Sequence, residues 1–427
     1  DKGQTWFSIS SNIPKRTLIW RMVQDPVKKN LLFAATEFGI YTSLNGGKSW
    51  QKLNGAPTIS FRDLTIQKRE NDLVAASFGR GFYVLDDYSA LREFTADNLG
   101  KEGKLFKPRP AKWFVPRSNV GNTGADYYFA KNPKYGAVFT YHLANDFKTQ
   151  KENRKKREKM FNKEQKNVPF PGWDALDQEK QEAPAQVILT IEDERGNVIN
   201  KVKEKASKGS HRIAWNFEHF NPFAISMHGR SRNSGGALAT PGTYKASLHL
   251  ENNGVVSHLD GPISFEVKSI RDGVLKGASY DEYNAFRNEL TDFIREMGTV
   301  QDQFSQSKKK FKALQIALER TNIAPGTVEP KLEKLKAALA NVEKILDGSS
   351  SRSEIGERNP SGIQRYLYNA FNGMDSTYGP TGVHKKSLAT AKSMLVKLKK
   401  EVDGIVNAMI PDIEKSLEAA NAPQIVN

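Results

Sequence analysis

The first indication of the fold is the octapeptide Ser43-Leu44-Asn45-Gly46-Gly47-Lys48-Ser49-Trp50. Ser43 and Asn45 carry short polar side chains that can bond nearby backbone groups, and the paired glycines tolerate positive φ. These properties predict a tight hairpin turn. Trp50 follows the turn, so its ring is expected to fold over the hairpin and cover the edge of a sheet.

A second copy of this pattern stands upstream. Asp1-Lys2-Gly3-Gln4-Thr5-Trp6 matches the segment from Asn45 to Trp50, and the two tryptophans are about one blade of a β-propeller apart. The pattern is the Asp box, S-x-D/N-x-G-x-S/T-W, with Asn45 in the position of the more usual aspartate. Around the second copy we expect the four strands of one blade, at Ile19–Val23, Leu31–Ala35, Gly39–Ser43 and Trp50–Leu53.

A further blade is expected after the second box. Its apolar or alternating runs are Phe61–Gln67, Asp72–Ser77 and Gly81–Asp86. A propeller closes with at least about four blades, so residues 1–95 are expected to be the last blades of an incomplete propeller. The partner blades, the true N-terminus and any signal peptide are then expected upstream in the same protein.

Three segments together resemble one family. They are the blade end Gly79-Arg80-Gly81-Phe82-Tyr83-Val84-Leu85-Asp86-Asp87, Leu105-Phe106-Lys107-Pro108-Arg109-Pro110, and Asn132-Pro133-Lys134-Tyr135-Gly136-Ala137-Val138-Phe139-Thr140-Tyr141. With the boxes, these segments are similar to the C-terminal portion of secreted bacterial sortilin-like or BNR-repeat proteins labelled glycosyl hydrolases. The likeness covers at least residues 1–300. It implies a secreted, cell-surface or periplasmic protein, but the cysteine-rich module of eukaryotic sortilins is absent from the sequence.

Two more domains are expected after the propeller segment. In residues 104–270, apolar and polar residues alternate along several runs, which predicts an Ig-like β-sandwich with a basic insertion at 144–184. Trp215 and Tyr244 are expected in its core. Residues 275–427 are expected to form an antiparallel helical bundle. Its first helix begins at the capping box Ser279-Tyr280-Asp281-Glu282, and Pro411 is expected to bend the last helix.

The charge of the chain points to acidic partners. The 427 residues carry a net charge of +16. The sequence contains no cysteine, so disulfides and thiolate chemistry are excluded. The basic insertion is interpreted as a solvated helical segment or as a docking surface for a polyanion or an acidic partner. The docking residues would be Lys151, Arg154, Lys155, Lys156, Arg157 and Lys159.

No catalytic, cofactor or metal-binding residue follows from the motifs. The polar residues of the propeller segment show no spacing typical of a glycosidase; they are Arg16, Arg21, Arg62, Arg80, Glu37, Asp63, Asp86 and Asp87. Calcium stays open as a bound ion, because oxygen-rich turns can supply its ligands. We expect a non-catalytic binding or scaffolding protein whose partner is a protein or glycan of the cell envelope, with no nucleic acid and no transmembrane segment. The alternative is a sialidase-like glycoside hydrolase with its active site in upstream blades.

Overall fold

A computed structural model describes residues 3–116, 130, 132–225, 235–271 and 273–425. The chain divides into two compact units, where the sequence suggested three domains. The first unit holds antiparallel sheets and takes up residues 3–113, 132–217 and 241–268 of the described chain. The second holds the C-terminal helices. The coarse prediction of antiparallel sheets followed by helices is confirmed.

Two antiparallel meanders make up the start of the first unit. Their strand orders are β1-β2-β3-β4 and β5-β6-β7, so every strand pairs with its neighbours in sequence. The strands are β1 (Ile19–Gln24), β2 (Leu32–Thr36), β3 (Gly39–Ser43), β4 (Gln51–Lys52), β5 (Phe61–Gln67), β6 (Asp72–Ser77) and β7 (Phe82–Leu85). These bounds lie within one residue of the predicted ones. The described residues form no closed propeller ring.

Apolar side chains on one face of each meander form a shared core. Phe33 and Ile40 of the first meander lie in one cluster with Phe61, Leu64 and Leu73 of the second. Because strand side chains alternate between the two faces of a sheet, each meander contributes every second residue to this cluster. The two sheets are therefore packed face to face.

A buried ion pair fastens the two meanders at Asp25, the residue that follows β1. Its side chain is fully buried, and Arg92 contacts it at 2.8 Å. The Tyr88 hydroxyl donates to the same carboxylate at 2.7 Å, and Arg92 also donates to Asn71 in the β5–β6 turn at 2.8 Å. Arg92 and Tyr88 belong to a 3₁₀ helix, Tyr88–Glu93. One carboxylate thus joins both meanders to the segment that leaves them.

The rest of the first unit contains two further sheets, the short helix α1 and two helices in the insertion. The strand orders of the two sheets are β13-β10-β8 and β12-β11-β14-β15-β9. In chain order the elements are α1 (Ala96–Gly100), β8 (Gly103–Leu105), β9 (Ala111–Trp113), β10 (Ala137–Leu143), α2 (Gln150–Lys163), α3 (Trp173–Gln181), β11 (Gln186–Glu192), β12 (Val198–Lys205), β13 (Gly209–Trp215), β14 (Gly242–Asn252) and β15 (Val255–Ser269).

Aromatic rings fill the space between these two sheets. The Trp215 ring on β13 lies 5.2 Å from that of Tyr244 on β14, and Phe139 on β10 lies 4.9 Å from Phe265 on β15. Trp215 and Tyr244 are both buried, as predicted for core residues. The strands β8 and β9 were not predicted, because strands of three residues beside Pro108 and Pro110 show no periodicity.

The second unit is built from helices on one apolar core. They are α4 (Tyr280–Glu319), α5 (Glu329–Asp347), α6 (Ser350–Glu354), α7 (Ile363–Asn372), α8 (Gly382–Gly404) and α9 (Ile410–Glu418). Ser279 caps α4, with the reciprocal bonds between Ser279 and Glu282 that the sequence predicted. A π-helical turn, Ile405–Met409, precedes Pro411, which lacks the N–H that a regular helix would use there.

Ion pairs between α4 and α8 show the relative direction of these helices. Glu282 pairs with Lys385 at 3.4 Å, Glu289 pairs with Lys392 at 2.5 Å, and Glu296 pairs with Lys399. The residue numbers rise together along both helices, so α4 and α8 run parallel. The prediction of an antiparallel bundle is wrong for this pair, because the chain between them returns to the start of α4 before α8 begins.

Replacing Asp25 should destabilise the first unit strongly. Asp25→Ala leaves the largely buried Arg92 without its counter-ion, and breaking a buried pair typically costs about 3 to 5 kcal/mol. All six tryptophans lie in the first unit, so tryptophan fluorescence during urea unfolding reports on this unit alone. Asp63→Ala is the control, because its pair with Arg21 is exposed and should contribute less than about 1 kcal/mol. Equal midpoints for the two variants would contradict the assignment.

The stabilisation by Asp25 should also depend on pH. Burial alone would raise the pKa of Asp25, but hydrogen bonds from Arg92, the Lys28 and Val27 amides and Tyr88 outweigh it and hold that pKa below its ordinary value. A lowered pKa means that the stabilisation is complete above the unfolded value of about 3.9 and is lost as the pH falls through the folded value. Urea midpoints of wild type should therefore fall more steeply below pH 4 than those of Asp25→Asn.

Candidate functional site

The second Asp box forms a hairpin turn between β3 and β4. The Ser43 hydroxyl accepts from the Gly47 amide at 2.9 Å, and the Asn45 side chain accepts from the Ser49 amide at 2.9 Å. Gly46 and Gly47 have φ of +71° and +87°, and a Cβ at Gly47 would stand 2.6 Å from the side chain of Ile9. The short polar side chains thus accept hydrogen bonds from turn amides that have no backbone acceptor. The glycines allow the positive φ of the turn, and Gly47 also leaves room for Ile9.

Trp50 anchors this turn to the preceding segment. Its ring is 4% exposed and donates from Nε1 to the Ile9 carbonyl at 2.6 Å. Asn12 accepts from the Trp50 amide at 2.7 Å and donates to the Trp50 carbonyl at 2.8 Å. Sequence reasoning missed Asn12, because a single asparagine in a loop carries no motif. The second box is accordingly a structural element rather than a binding site.

The first box differs from the second in the exposure of its tryptophan. Asp1 lies outside the described residues. Gly3 has φ of +86°, and the Trp6 indole donates to the Gly3 carbonyl at 2.9 Å. Trp6 is nevertheless 90% exposed, whereas Trp50 is buried. Gly3 and Gly47 thus both adopt positive φ, but the tryptophan is buried in the second box alone among the described residues.

An exposed arginine lies between two aromatic rings at one end of the meanders. The Arg62 guanidinium carbon is 3.6 Å from the centroid of the Trp20 ring and 5.0 Å from that of Phe78. Phe78 is exposed, and more than a third of Trp20 is accessible to solvent. We call Trp20, Arg62 and Phe78 the rim cluster. Both rings lie within cation–π distance of the guanidinium, and these contacts restrict its motion.

Two β-bulges place Trp20 and Arg62 in this arrangement. In β1 the register shifts between Ile19 and Arg21, and in β5 it shifts between Phe61 and Asp63. Trp20 and Arg62 are the extra residues of the two bulges, so they occupy corresponding positions of the two meanders. A bulge re-aims a side chain away from the regular alternation of a strand. Both side chains thereby leave the packed faces and meet.

Phe78 comes from the turn between β6 and β7. Its amide donates to the Ser60 carbonyl at 2.9 Å, which fixes the turn beside the start of β5. The sequence does hold a signal for this residue, because Ala34-Ala35-Thr36-Glu37-Phe38-Gly39 recurs as Ala75-Ala76-Ser77-Phe78-Gly79. The repeat places Phe38 and Phe78 in corresponding turns of the two meanders.

Some of the polar residues considered for catalysis lie beside the rim cluster. Arg21 and Asp63 form an exposed ion pair at 3.4 Å, and Glu37 accepts from the Leu18 amide at 2.8 Å. Arg16 and Arg80 are exposed. The structure therefore gathers Arg21, Arg62 and Asp63 in one place.

Asp86 and Asp87 serve the chain segment that leaves β7. The Asp87 side chain accepts from the Ser89 amide at 3.2 Å and caps the 3₁₀ helix. The Arg212 guanidinium on β13 donates to the Asp86 carbonyl at 2.5 Å and to the Asp87 carbonyl at 2.8 Å. The Asp87 carboxylate therefore has a structural role as a helix cap, and Arg212 holds the backbone of Asp86 and Asp87.

A largely apolar cleft of about 480 Å³ lies near this connection. Its walls include Leu73, Tyr83 and Leu85 of the second meander, with His211 and Arg212 of β13 opposite. The Arg212 guanidinium is already engaged by the two carbonyls, so the cleft has apolar character and little free charge. The rim cluster is chemically the more distinctive of the two surfaces.

The basic insertion forms the two helices α2 and α3. Arg154, predicted as a docking residue, instead holds them together: its guanidinium contacts both carboxylate oxygens of Glu179 at 2.7 Å and also pairs with Glu158. The hydrogen bond from Arg154 lowers the pKa of Glu179. The other predicted docking residues are exposed, and they are Lys151, Lys155, Lys156, Arg157 and Lys159.

Neither a metal site nor a membrane-spanning helix is found in the part of the chain that the structure describes. Within the residues that the structure describes, no three His, Asp or Glu side chains are grouped so as to hold a metal ion. No helix in the described ranges combines the length and apolar character of a membrane span.

Comparisons with known proteins assign no family. The chain matches no protein-family model and no curated protein. Among solved structures it is similar to dimeric latent PorU from Porphyromonas gingivalis, at 12% identity, over 60% of this chain and 21% of that chain, with a TM-score of 0.21. It is also similar to the extracellular domain of the one component system BT4673 from B. thetaiotaomicron, at 12% identity, over 60% of this chain and 25% of that chain, with a TM-score of 0.14. The chain thus spans a quarter or less of either protein.

Arg154 should determine the order of the insertion. Arg154→Ala removes its pairs with Glu158 and Glu179, so the amides of α2 and α3 should exchange hydrogen several-fold faster. Arg157→Ala, an exposed change in the same helix, is the matched control and should leave the exchange rates unchanged. Hydrogen exchange read by mass spectrometry measures both. Equal protection in the two variants would show that Arg154 does not hold the helices together.

Proposed function

We propose that this chain is a non-catalytic binding protein of the bacterial cell envelope. In this proposal the two meanders are Asp-box blades of a propeller, and the sheets that follow form an Ig-like sandwich as their base. The support comes from the corresponding bulges and turns of the two meanders, from the turn geometry of the boxes, and from the resemblance stated on the sequence. We place the protein at the cell surface or in the periplasm on the same grounds.

The observation that carries the proposal is the stacked Arg62. Its charge is exposed, its guanidinium packs against Trp20 and Phe78, and no described residue accepts a hydrogen bond from it. A guanidinium edge donates two parallel hydrogen bonds to a carboxylate, and packing against two rings reduces the entropy lost on binding. The ligand class is therefore a carboxylate-bearing glycan or protein.

Binding is favoured over hydrolysis because of the carboxylates near Arg62. Glycoside hydrolysis ordinarily requires two carboxyl groups about 5 to 10 Å apart, one of them with a raised pKa. Asp63 is ion-paired with Arg21, and Glu37 accepts a backbone amide. These side chains already have structural partners, so the rim cluster supports recognition of a ligand.

Further blades are proposed to cover the second meander. The cross-strand pairs Ala76–Phe82 and Val74–Val84 lie on its outer face, and Phe82 is 78% exposed. Exposed apolar patches of this kind mark interfaces, and each blade of a propeller packs through both faces of its sheet. Blades of the same protein would supply the matching apolar face.

The binding proposal is tested on a carboxylate polymer. Wild type should bind immobilised polygalacturonate and not neutral dextran at 150 mM salt. Arg62→Gln and Arg62→Lys should each weaken this binding about tenfold, because lysine keeps the charge but cannot stack or form paired hydrogen bonds. Biolayer interferometry measures the affinity, and poly-glutamate replaces the glycan in a second arm to identify protein ligands.

The control is Arg195→Gln, which removes the same charge from an exposed turn between β11 and β12. It should bind as wild type does. If the Arg62 variants lose no more binding than this control on either polymer, the polymer is held by net charge and the proposal is wrong.

A further inference from the structure

Large apolar side chains are exposed where α2 and α3 are joined. They are Met160, Val168, Phe170 and Trp173, which we call the aromatic tip. Phe170 is 62% exposed and Trp173 is 75% exposed. Their rings contact each other edge to face, with centroids 5.1 Å apart. Four such side chains close together in sequence are unusual at the end of a polar insertion, since each prefers to leave water.

The insertion has no interior that could take these side chains. Neither α2 nor α3 contains a buried residue. The insertion is held by polar contacts: the Arg154–Glu179 pair, the pair of Lys205 with Glu152, and the bond from the Gln150 amide to Glu182 at 2.6 Å. The aromatic tip is thus carried on a scaffold held by polar contacts, and its exposure is a property of the folded insertion.

Three exposed cations of α2 lie close in sequence to the aromatic tip. Lys156, Lys159 and Lys163 recur at three and four residues along α2, so they share a face of the helix next to Met160. All three are exposed, and none pairs with a carboxylate among the described residues. The insertion therefore combines exposed apolar side chains with a face of exposed lysines, and this combination is complementary to a surface that is negatively charged outside and apolar beneath.

We infer that the insertion docks on an anionic lipid surface. The aromatic tip enters the boundary between headgroups and acyl chains, and the lysines contact the headgroup phosphates. A soluble polyanion would engage the lysines and leave the four apolar side chains in water. A bilayer surface takes both, because tryptophan and phenylalanine favour the interface and lysines are attracted to anionic headgroups. The inference uses a surface other than the rim cluster and stands without the proposed function.

Vesicle co-sedimentation of the full chain tests this inference. Wild type should sediment with vesicles of phosphatidylcholine containing about a third phosphatidylglycerol and not with phosphatidylcholine alone. Phe170→Ala/Trp173→Ala keeps the net charge and should lower the partition coefficient about tenfold or more, since two interfacial anchors are lost. The triple change Lys156→Gln/Lys159→Gln/Lys163→Gln should lower it about as much, and the loss should shrink at 0.5 M salt because salt screens the lysines.

Matched controls separate these effects from general loss of charge or apolar surface. Lys386→Gln/Lys397→Gln/Lys400→Gln removes three exposed lysines of α8, and Tyr368→Ala/Val396→Ala removes two exposed apolar side chains of the helical unit. Both should sediment as wild type does. Circular dichroism of each variant should be unchanged, because every altered residue is exposed. Arg62→Gln should also sediment normally, so failure of the proposed function leaves this inference intact.

Two results would overturn the inference. One is absence of wild type from the anionic vesicles. The other is a pair of results: wild type and Phe170→Ala/Trp173→Ala bind vesicles equally, and the lysine variant loses binding to both vesicles and dextran sulfate. That pair would assign the insertion to soluble polyanions. The fluorescence of Trp173 is obtained by subtracting the emission spectrum of Trp173→Phe from that of wild type. Its emission maximum should shift to shorter wavelength on anionic vesicles and stay unchanged with dextran sulfate.

Discussion

The buried carboxylate of Asp25 is the constraint on which the first unit depends. A charge without solvent must be compensated, and here the compensation comes from Arg92, Tyr88 and two amides that belong to different parts of the chain. Arg92 and Tyr88 follow β7 while Asp25 follows β1, so their contact requires both meanders to be formed and packed. The same packing brings the bulges of β1 and β5 side by side, and the rim cluster exists because of it.

Much of the fold could be predicted from local patterns. Alternating strands gave the bounds of the meanders, the Ser279 capping box gave the start of α4, and the apolar context of Trp215 and Tyr244 gave the core. These features depend on residues close together in the sequence. The parallel direction of α4 and α8 depends on the course of the chain between them, and the short strands β8 and β9 depend on sheet partners far away in sequence, so neither was predictable.

The rim cluster could be predicted only in part. The arginines were considered, but no spacing singled out Arg62 as a site residue. Nothing in the sequence says that Trp20 and Arg62 are bulge residues, because a bulge is a mismatch between two strands. The repeated Ala-Ala-Thr/Ser pattern could have pointed to Phe78. In the insertion, the run of basic residues was clear, yet its members differ: Arg154 is used within the structure, and its neighbours remain exposed.

The ion pairs between α4 and α8 recur every seven residues on both helices. Seven residues are close to two helical turns, so the three pairs lie along one side of each helix, and all three form together in a single register. Loss of a single residue within either helix would rotate everything beyond it by about 100° and turn its apolar stripe out of the core. Evolutionary changes of length should therefore be rare within α4 and α8.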